Sequence, residues 1–224
     1  MEPFLLYEDD CLLVAEKSCG LLSEAHDTRP NLPALLKKKT GCAAVYAVHR
    51  LDRTTQGLII YAKTPEAARL LSAQAQRGDI EKRYLAVAEG IPALPSGELR
   101  DLLYYDRRKN KSYVVSRQRK GVKVALLRYE TRGTAKSGDM TLTLLAIRLM
   151  TGRTHQIRVQ FASRGTPLAG DRRYGGRYVC DDIALCAAEL CFTHPFSGER
   201  LCFHCQPKAA PFALFGDITE LMLL

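Results

Sequence analysis

The sequence predicts an α+β fold built on a mainly antiparallel mixed sheet flanked by helices and loops. Three observations carry that expectation. Strand-like runs outnumber helical patterns and follow one another in groups, where a parallel α/β chain would alternate them with helices. Helix-start signals are few and sharp. No internal repeat, low-complexity tract or long linker interrupts the 224 residues, so one domain spanning 1–224 is expected.

The elements follow in order. Cys11 to Ala15 reads as a strand that ends in the turn Ser18-Cys19-Gly20. Asn31 can cap a short helix from Leu32 to Lys39, with Pro33 in its first turn. Gly57 to Lys63 is an apolar run of strand length. Thr64-Pro65-Glu66 is a helix start with a hydroxyl cap, proline and then an acid, and Gly78 stops a helix that reaches about Gln76. Tyr84 to Glu89 alternates as a strand does. Residues 92–123 are basic and rich in turns, with one or two short strands as an exposed hairpin. Val122 to Tyr129 and Met140 to Leu149 read as paired strands joined by a loop from Gly133 to Asp139. Thr154 to Ser163 reads as a helix. Two strands near 184–192 and 200–205, hinged at Pro195-Phe196-Ser197-Gly198, close the chain.

Composition narrows the class. A hydrophobic fraction of 46% supports a real core. No uncharged apolar run reaches membrane-spanning length, and Met1-Glu2-Pro3-Phe4 does not open a secretory signal. A cytoplasmic protein with no membrane partner is therefore expected. The formal net charge is +9, and the excess is clustered at Lys37-Lys38-Lys39, Arg107-Arg108-Lys109-Asn110-Lys111, Arg117-Gln118-Arg119-Lys120 and Arg172-Arg173. Clustered cations favour a polyanionic partner, of which nucleic acid is the usual one. Of the eight cysteines, Cys186, Cys191, Cys202 and Cys205 with His204 loosely resemble a zinc set. Their apolar neighbours read instead as buried strand positions, so no metal is expected. With no export signal, a disulfide framework is not expected either.

Chemistry concentrates in His49-Arg50-Leu51-Asp52-Arg53-Thr54-Thr55-Gln56-Gly57. One carboxylate stands between two guanidiniums, which favour its ionised form. An ionised Asp52 can act as nucleophile or base, and the arginines can hold phosphates or stack on a base. A second segment, Thr151-Gly152-Arg153-Thr154-His155-Gln156-Ile157-Arg158-Val159, follows a strand and opens a helix. Arg153 and Arg158 need not share a face, so one can reach a carboxylate and the other a phosphate. The third and fourth segments are Glu81-Lys82-Arg83-Tyr84 at a strand start and the glycine-punctuated loop Gly170-Asp171-Arg172-Arg173-Tyr174-Gly175. Gly57 to Thr64 nearly fits a phosphate-binding loop, but its interior Leu-Ile-Ile-Tyr forms strands, and nucleotide hydrolysis is rejected.

Together and in this order, these segments resemble the RluA-type pseudouridine synthases. The resemblance runs from Tyr7-Glu8-Asp9-Asp10 and Lys17-Ser18-Cys19-Gly20 to Phe192-Thr193-His194-Pro195 and Gly198-Glu199. The chain departs from the family pattern at Ser18, where proline is usual, and at Gln160 and Cys186, where histidine is common. The first strand begins within about ten residues of Met1, so the S4 RNA-binding domain of many relatives is expected to be absent.

The resemblance implies a pseudouridine synthase catalytic fold with a central active-site cleft. It also implies isomerisation of uridine to pseudouridine in RNA, with no cofactor. Asp52 matches the essential carboxylate, Arg158 the arginine that pairs with it, and Tyr84 the tyrosine that packs on the target base. Arg50 matches the residue that enters the space left by the flipped base, and Arg53, Arg153 and His155 are expected to contact RNA. The partner is a ribosomal or transfer RNA stem-loop, and the default assembly is a monomer. A protein that binds RNA on the same fold without chemistry is the alternative, against which the intact Asp52, Tyr84 and Arg158 set argues. The basic segment 107–123 is expected, from charge alone, to grip the RNA backbone.

Overall fold

The first hairpin is closed by local chemistry. β1 (Phe4–Glu8) and β2 (Leu12–Lys17) pair antiparallel. In the turn between them, Asp9 accepts the amides of Cys11 and Leu12 at 2.7 and 2.8 Å. β1 lies upstream of the first strand read from the sequence. The structure is a computed structural model that describes residues 3–216 and 218. It divides into two units, Met1–Lys82 with Cys186–Gln206, and Arg83–Leu185 with Pro207–Leu224.

In the first unit, α1 (Leu32–Thr40) starts where Asn31 accepts the amide of Ala34, and stops at Gly41 in the left-handed conformation. The short β3 (Tyr46–Ala47) and β4 (Gln56–Ala62) pair antiparallel. β4 is buried along its whole length, as an apolar run with neighbours on both sides must be. It pairs antiparallel with β2 and, at Gln56 and Gly57, parallel with β10 (Leu185–Thr193). β10 pairs antiparallel with β11 (Arg200–His204). α2 (Pro65–Arg77) begins with the Thr64 cap and ends at Gly78, as expected.

The strands of the second unit all pair antiparallel, though not in chain order. β5 (Glu81–Glu89) starts at the end of the first unit and pairs with β9 (Met140–Leu149). β9 pairs with β8 (Val122–Ser137), β8 with β6 (Ser96–Asp106), and β6 with β7 (Lys111–Val115). The expected loop from Gly133 to Asp139 is mostly strand. β8 passes through a register shift between Thr131 and Gly133 and continues to Ser137, so only a tight turn at Gly138-Asp139 joins it to β9. α3 (Gln156–Ala162) is shorter than the helix read from Thr154 to Ser163. Its Val159 packs with Leu103 of β6 and Ala125 of β8, and Tyr174 lies against that cluster.

The expectation of no disulfide is corrected. Cys191 and Cys202 stand directly opposite on β10 and β11, with Cα atoms 4.2 Å apart, and their sulfurs are bonded. The register set by the turn at 195–198 brings the two thiols together. Cys186 and Cys205 remain free and buried, with sulfurs 3.8 Å apart.

Candidate active site

Asp52 sits on a loop that a second loop splints. The ammonium of Lys17, fully buried, donates to the carbonyls of Ser18, Leu21 and Arg53 at 3.0, 3.0 and 3.2 Å. The amide of Gly20 also reaches the Arg53 carbonyl, at 2.8 Å, and the Cys19 thiol donates to that of Thr54 at 3.0 Å. The buried Ser23 hydroxyl takes the amide of Leu51 at 3.0 Å and donates to the Leu51 carbonyl at 2.8 Å. Tyr61 of β4 holds Ser23 in turn through its carbonyl, at 2.8 Å. The backbone on both sides of Asp52 is thus bonded to residues 17–23, and Asp52 itself is half-buried at the apex. Such bracing of the backbone holds a reacting group in one geometry.

In the second unit, the loop before α3 is laced by its own side chains. Gln156 accepts from the Thr151 hydroxyl and the Arg153 amide at 2.8 and 3.0 Å, and donates to the Leu126 carbonyl at 3.1 Å. His155 adopts a left-handed backbone conformation immediately before the helix. Arg158, one turn in, is buried and makes a bidentate pair with Asp171, Nε to Oδ2 at 2.7 Å and Nη2 to Oδ1 at 2.9 Å. Its guanidinium lies 5.1 Å from the centre of the Tyr174 ring. The Tyr174 hydroxyl takes the amide of Ser112 at 2.8 Å and lies 2.9 Å from His155 Nδ1. Burial pushes this phenol up to about 12, so it keeps its proton at neutral pH. Tyr84, on β5, is buried.

A loop-borne, braced carboxylate and a buried helix-borne arginine occur here on an antiparallel framework. The sequence matches the RNA pseudouridylate synthase family over residues 11–163. The chain belongs to that family. Among curated relatives, it is 33% identical over 204 residues to the Uncharacterized RNA pseudouridine synthase YhcT of Bacillus subtilis, a match covering 88% of this chain and 66% of the relative. It is 36% identical over 218 residues to the Ribosomal large subunit pseudouridine synthase D of Xanthomonas campestris, covering 88% of this chain and 63% of that one. The chain therefore spans somewhat less than two thirds of the length of these two relatives. Among solved structures, Human RNA Pseudouridylate Synthase Domain Containing 1 superposes with a TM-score of 0.77 at 21% identity, covering 92% of this chain and 84% of its own. That likeness shows the fold, and it agrees with the α+β class read from the sequence.

The residues expected from the RNA pseudouridylate synthase resemblance fall in both units. Arg50, Asp52 and Arg53 belong to the first, and Tyr84, Arg153, His155 and Arg158 to the second. Arg50 is exposed and pairs with Glu24 at 3.2 Å. Arg53 is exposed, and its carbonyl anchors the splint. Arg153 is half-buried, with Nε donating to the Val124 carbonyl at 2.9 Å. His155, expected as an RNA contact, is buried against Tyr174. Arg158 was expected beside Asp52, and the carboxylate bonded to it in its own unit is Asp171. Four residues of this machinery were given no role by sequence reasoning: Lys17, Ser23, Asp171 and Tyr174. Asp171 and Tyr174 lay inside the matched Gly170 to Gly175 segment, which alone reads as a turn.

Among the described residues, one cluster brings metal-ligand atoms together: Asp9, Cys11 and His194, in the first unit. Its hydrogen bonds favour a brace over a cation site. His194 accepts the Ser197 amide on Nδ1 at 3.0 Å, so its proton sits on Nε2, 2.9 Å from Asp9 Oδ2. Burial pushes the Cys11 thiol up to about 12, away from the thiolate a metal needs. The zinc reading of the C-terminal cysteines fails more simply, because Cys191 and Cys202 are bonded to each other.

Proposed function

We propose that this chain isomerises uridine to pseudouridine within structured RNA, ribosomal or transfer, with Asp52 as the essential carboxylate. The observation that carries the reading is the splint of residues 17–23, which braces the backbone at Leu51, Arg53 and Thr54 around Asp52. Family membership supports the same reaction, and the name of the Xanthomonas campestris relative favours ribosomal RNA as the first substrate to try.

In this reading residues 1–224 act as one catalytic domain. The target nucleotide is flipped out of its stack at a cost of a few kcal/mol, and Arg50 enters the vacated space. Asp52 attacks the sugar C1′ or the base, or abstracts a sugar proton. The N1–C1′ bond breaks, the uracil turns over, and C5 bonds to C1′. The C5 proton then leaves and N1 gains one, so no electron or group is exchanged with a cofactor. Arg158, oriented by Asp171, pairs with Asp52. Tyr84 packs on the base and assists loss of the C5 proton. Arg53, Arg153 and His155 contact the RNA, His155 through the Tyr174 network. The protein acts as a cytoplasmic monomer. No helix among the described residues is long and apolar enough to cross a membrane.

The test is Asp52→Asn, assayed by tritium release from RNA labelled at uridine C5. Conversion should fall by about three orders of magnitude or more, while RNA affinity stays close to that of the unaltered protein. Retained conversion would remove Asp52 from the chemistry. Absence of conversion by the unaltered protein, with RNA binding intact, would favour the binding-only alternative.

A further inference from the structure

The same signature loop carries a second peculiarity, at His49. Its imidazole accepts the amide of Ile60 on Nε2 at 3.2 Å. A neutral imidazole that accepts on Nε2 carries its proton on Nδ1. That Nδ1 is buried and has no hydrogen-bond partner. Enclosure drives the ring's pKa well down and the charge of Lys82 adds to the effect, so the neutral donor form persists at physiological pH.

Lys82 is itself unanswered. It is half-buried, burial lowers its pKa, and it has no hydrogen bond or ion pair among the described residues. Lys17 shows what this unit does with a structural lysine: three backbone carbonyls meet its ammonium. Nothing comparable meets Lys82. The buried Nδ1 donor of His49 is likewise left without an acceptor, and native folds keep few such groups.

Position adds the second argument. Lys82 lies two residues before Tyr84 on β5, and alternate strand residues share a face. His49 lies three residues before Asp52 on the braced loop. Both unanswered donors therefore border residues assigned to the target nucleotide.

We propose that His49 and Lys82 form a phosphate subsite, which takes the backbone phosphate adjoining the target uridine. This rests on the isomerase reading above. A phosphodiester offers two non-bridging oxygens, one for the imidazole N–H and one for the ammonium. Its charge favours protonated Lys82, and its contacts fix register without reading sequence. A cation here also offsets the repulsion between Asp52 and the phosphate that must approach it.

Two measurements test the subsite. In protein labelled with 15N-histidine, the Nδ1–H resonance of His49, assigned by its loss in His49→Gln, should shift saturably on titration with inorganic phosphate. The shift should vanish in Lys82→Gln. The second measurement follows the affinity of a uridine-containing RNA stem-loop against salt. The slope of log K on log salt should flatten by about 0.7–0.9, the release of one counterion, in Lys82→Gln and should hold in Lys82→Arg. A His49 resonance indifferent to phosphate, or an unchanged slope in Lys82→Gln, overturns the subsite, and uridine turnover by the unaltered protein then leaves the isomerase reading standing. Saturable phosphate binding by a protein that converts no uridine has the opposite meaning: the subsite stands and the isomerase reading falls. If Lys82→Gln does not fold, the titration of unaltered protein decides.

Discussion

Asp171 and Arg158 are almost completely enclosed, with side chains 0% and 4% exposed. Attraction between two such charges does little more than offset their desolvation, so the pair's main product is orientation. Losing one partner is another matter, because a bidentate pair is then broken in the interior. Asp171→Ala should lower the unfolding free energy by about 3–5 kcal/mol in urea titrations. The double variant Asp171→Leu/Arg158→Met should regain much of that stability and none of the isomerisation. A stable and active double variant would take Arg158 out of the reaction. Sequence reasoning reached Arg158 through a motif but gave Asp171 no role. A lone aspartate thirteen residues on, between glycines, has no periodicity or spacing that announces a partner. Asp9 gives a residue-scale prediction in pH. Burial raises its carboxyl, but the amides of Cys11 and Leu12 and the Tyr7 hydroxyl outweigh it and bring it down to about 2. A carboxyl depressed on folding stabilises above its unfolded pKa and loses that contribution as pH falls through the folded one. Stability should therefore decline between about pH 4 and pH 2, and Asp9→Asn should flatten that part of the curve in acid unfolding followed by circular dichroism.

β4 and β10 meet at Gly57, whose backbone has a φ of 117°. A Cβ there would collide with the backbone of Ala187, its nitrogen only 2.6 Å away. Because the obstacle is main chain in a paired strand, neither side can yield easily. Gly57→Ala should cost about 3 kcal/mol or more and lower the melting temperature accordingly. An unchanged melt would mean that the strands do not approach this closely in solution. The glycine that closes the signature is thus a packing requirement of the element behind it. The splint is the other element-scale device. Ser23→Ala strands the Leu51 amide and carbonyl, at about 1–3 kcal/mol for each buried group. It should lower kcat more than it raises KM for RNA, with Ser23→Thr restoring part of the loss; a KM effect alone would make Ser23 an RNA contact. Helix ends were legible because capping is local: Asn31, Thr64 and Gly78 mark them within four residues. The length of β8 was not, since Gly133 and polar alternation resemble a loop until β9 supplies partners.

At the scale of the whole chain, the +9 charge is spread unevenly, and the β6–β7 hairpin shows how. Arg107, Arg108, Lys109, Arg117, Arg119 and Lys120 are exposed at its turn and along the segment that follows. Arg119 lies 5.0 Å from the Tyr104 ring centre, and Lys111 lies 5.1 Å from that of Tyr174. The Lys111 ammonium also donates to the Arg173 carbonyl at 2.8 Å, and Arg173 reaches back to the Lys109 carbonyl at 3.1 Å. The hairpin is therefore tied, through Tyr174, to the helix that carries Arg158. The charge of this segment was plain in the sequence. Its attachment to the helix that carries Arg158 was not, because that depends on contacts some sixty residues apart along the chain. If the hairpin grips RNA, each cation that meets a phosphate displaces a condensed counterion, and affinity falls as a power of salt. Replacing Arg107, Arg108 and Lys109 together with glutamine should flatten the slope of log K on log salt by about 2–3, read by fluorescence anisotropy on a labelled stem-loop. The substitutions leave the carbonyls that hold Arg173 in place, so the tie to Tyr174 should survive and the loss should be one of charge alone. A slope identical to that of the unaltered protein would place the RNA backbone on another face.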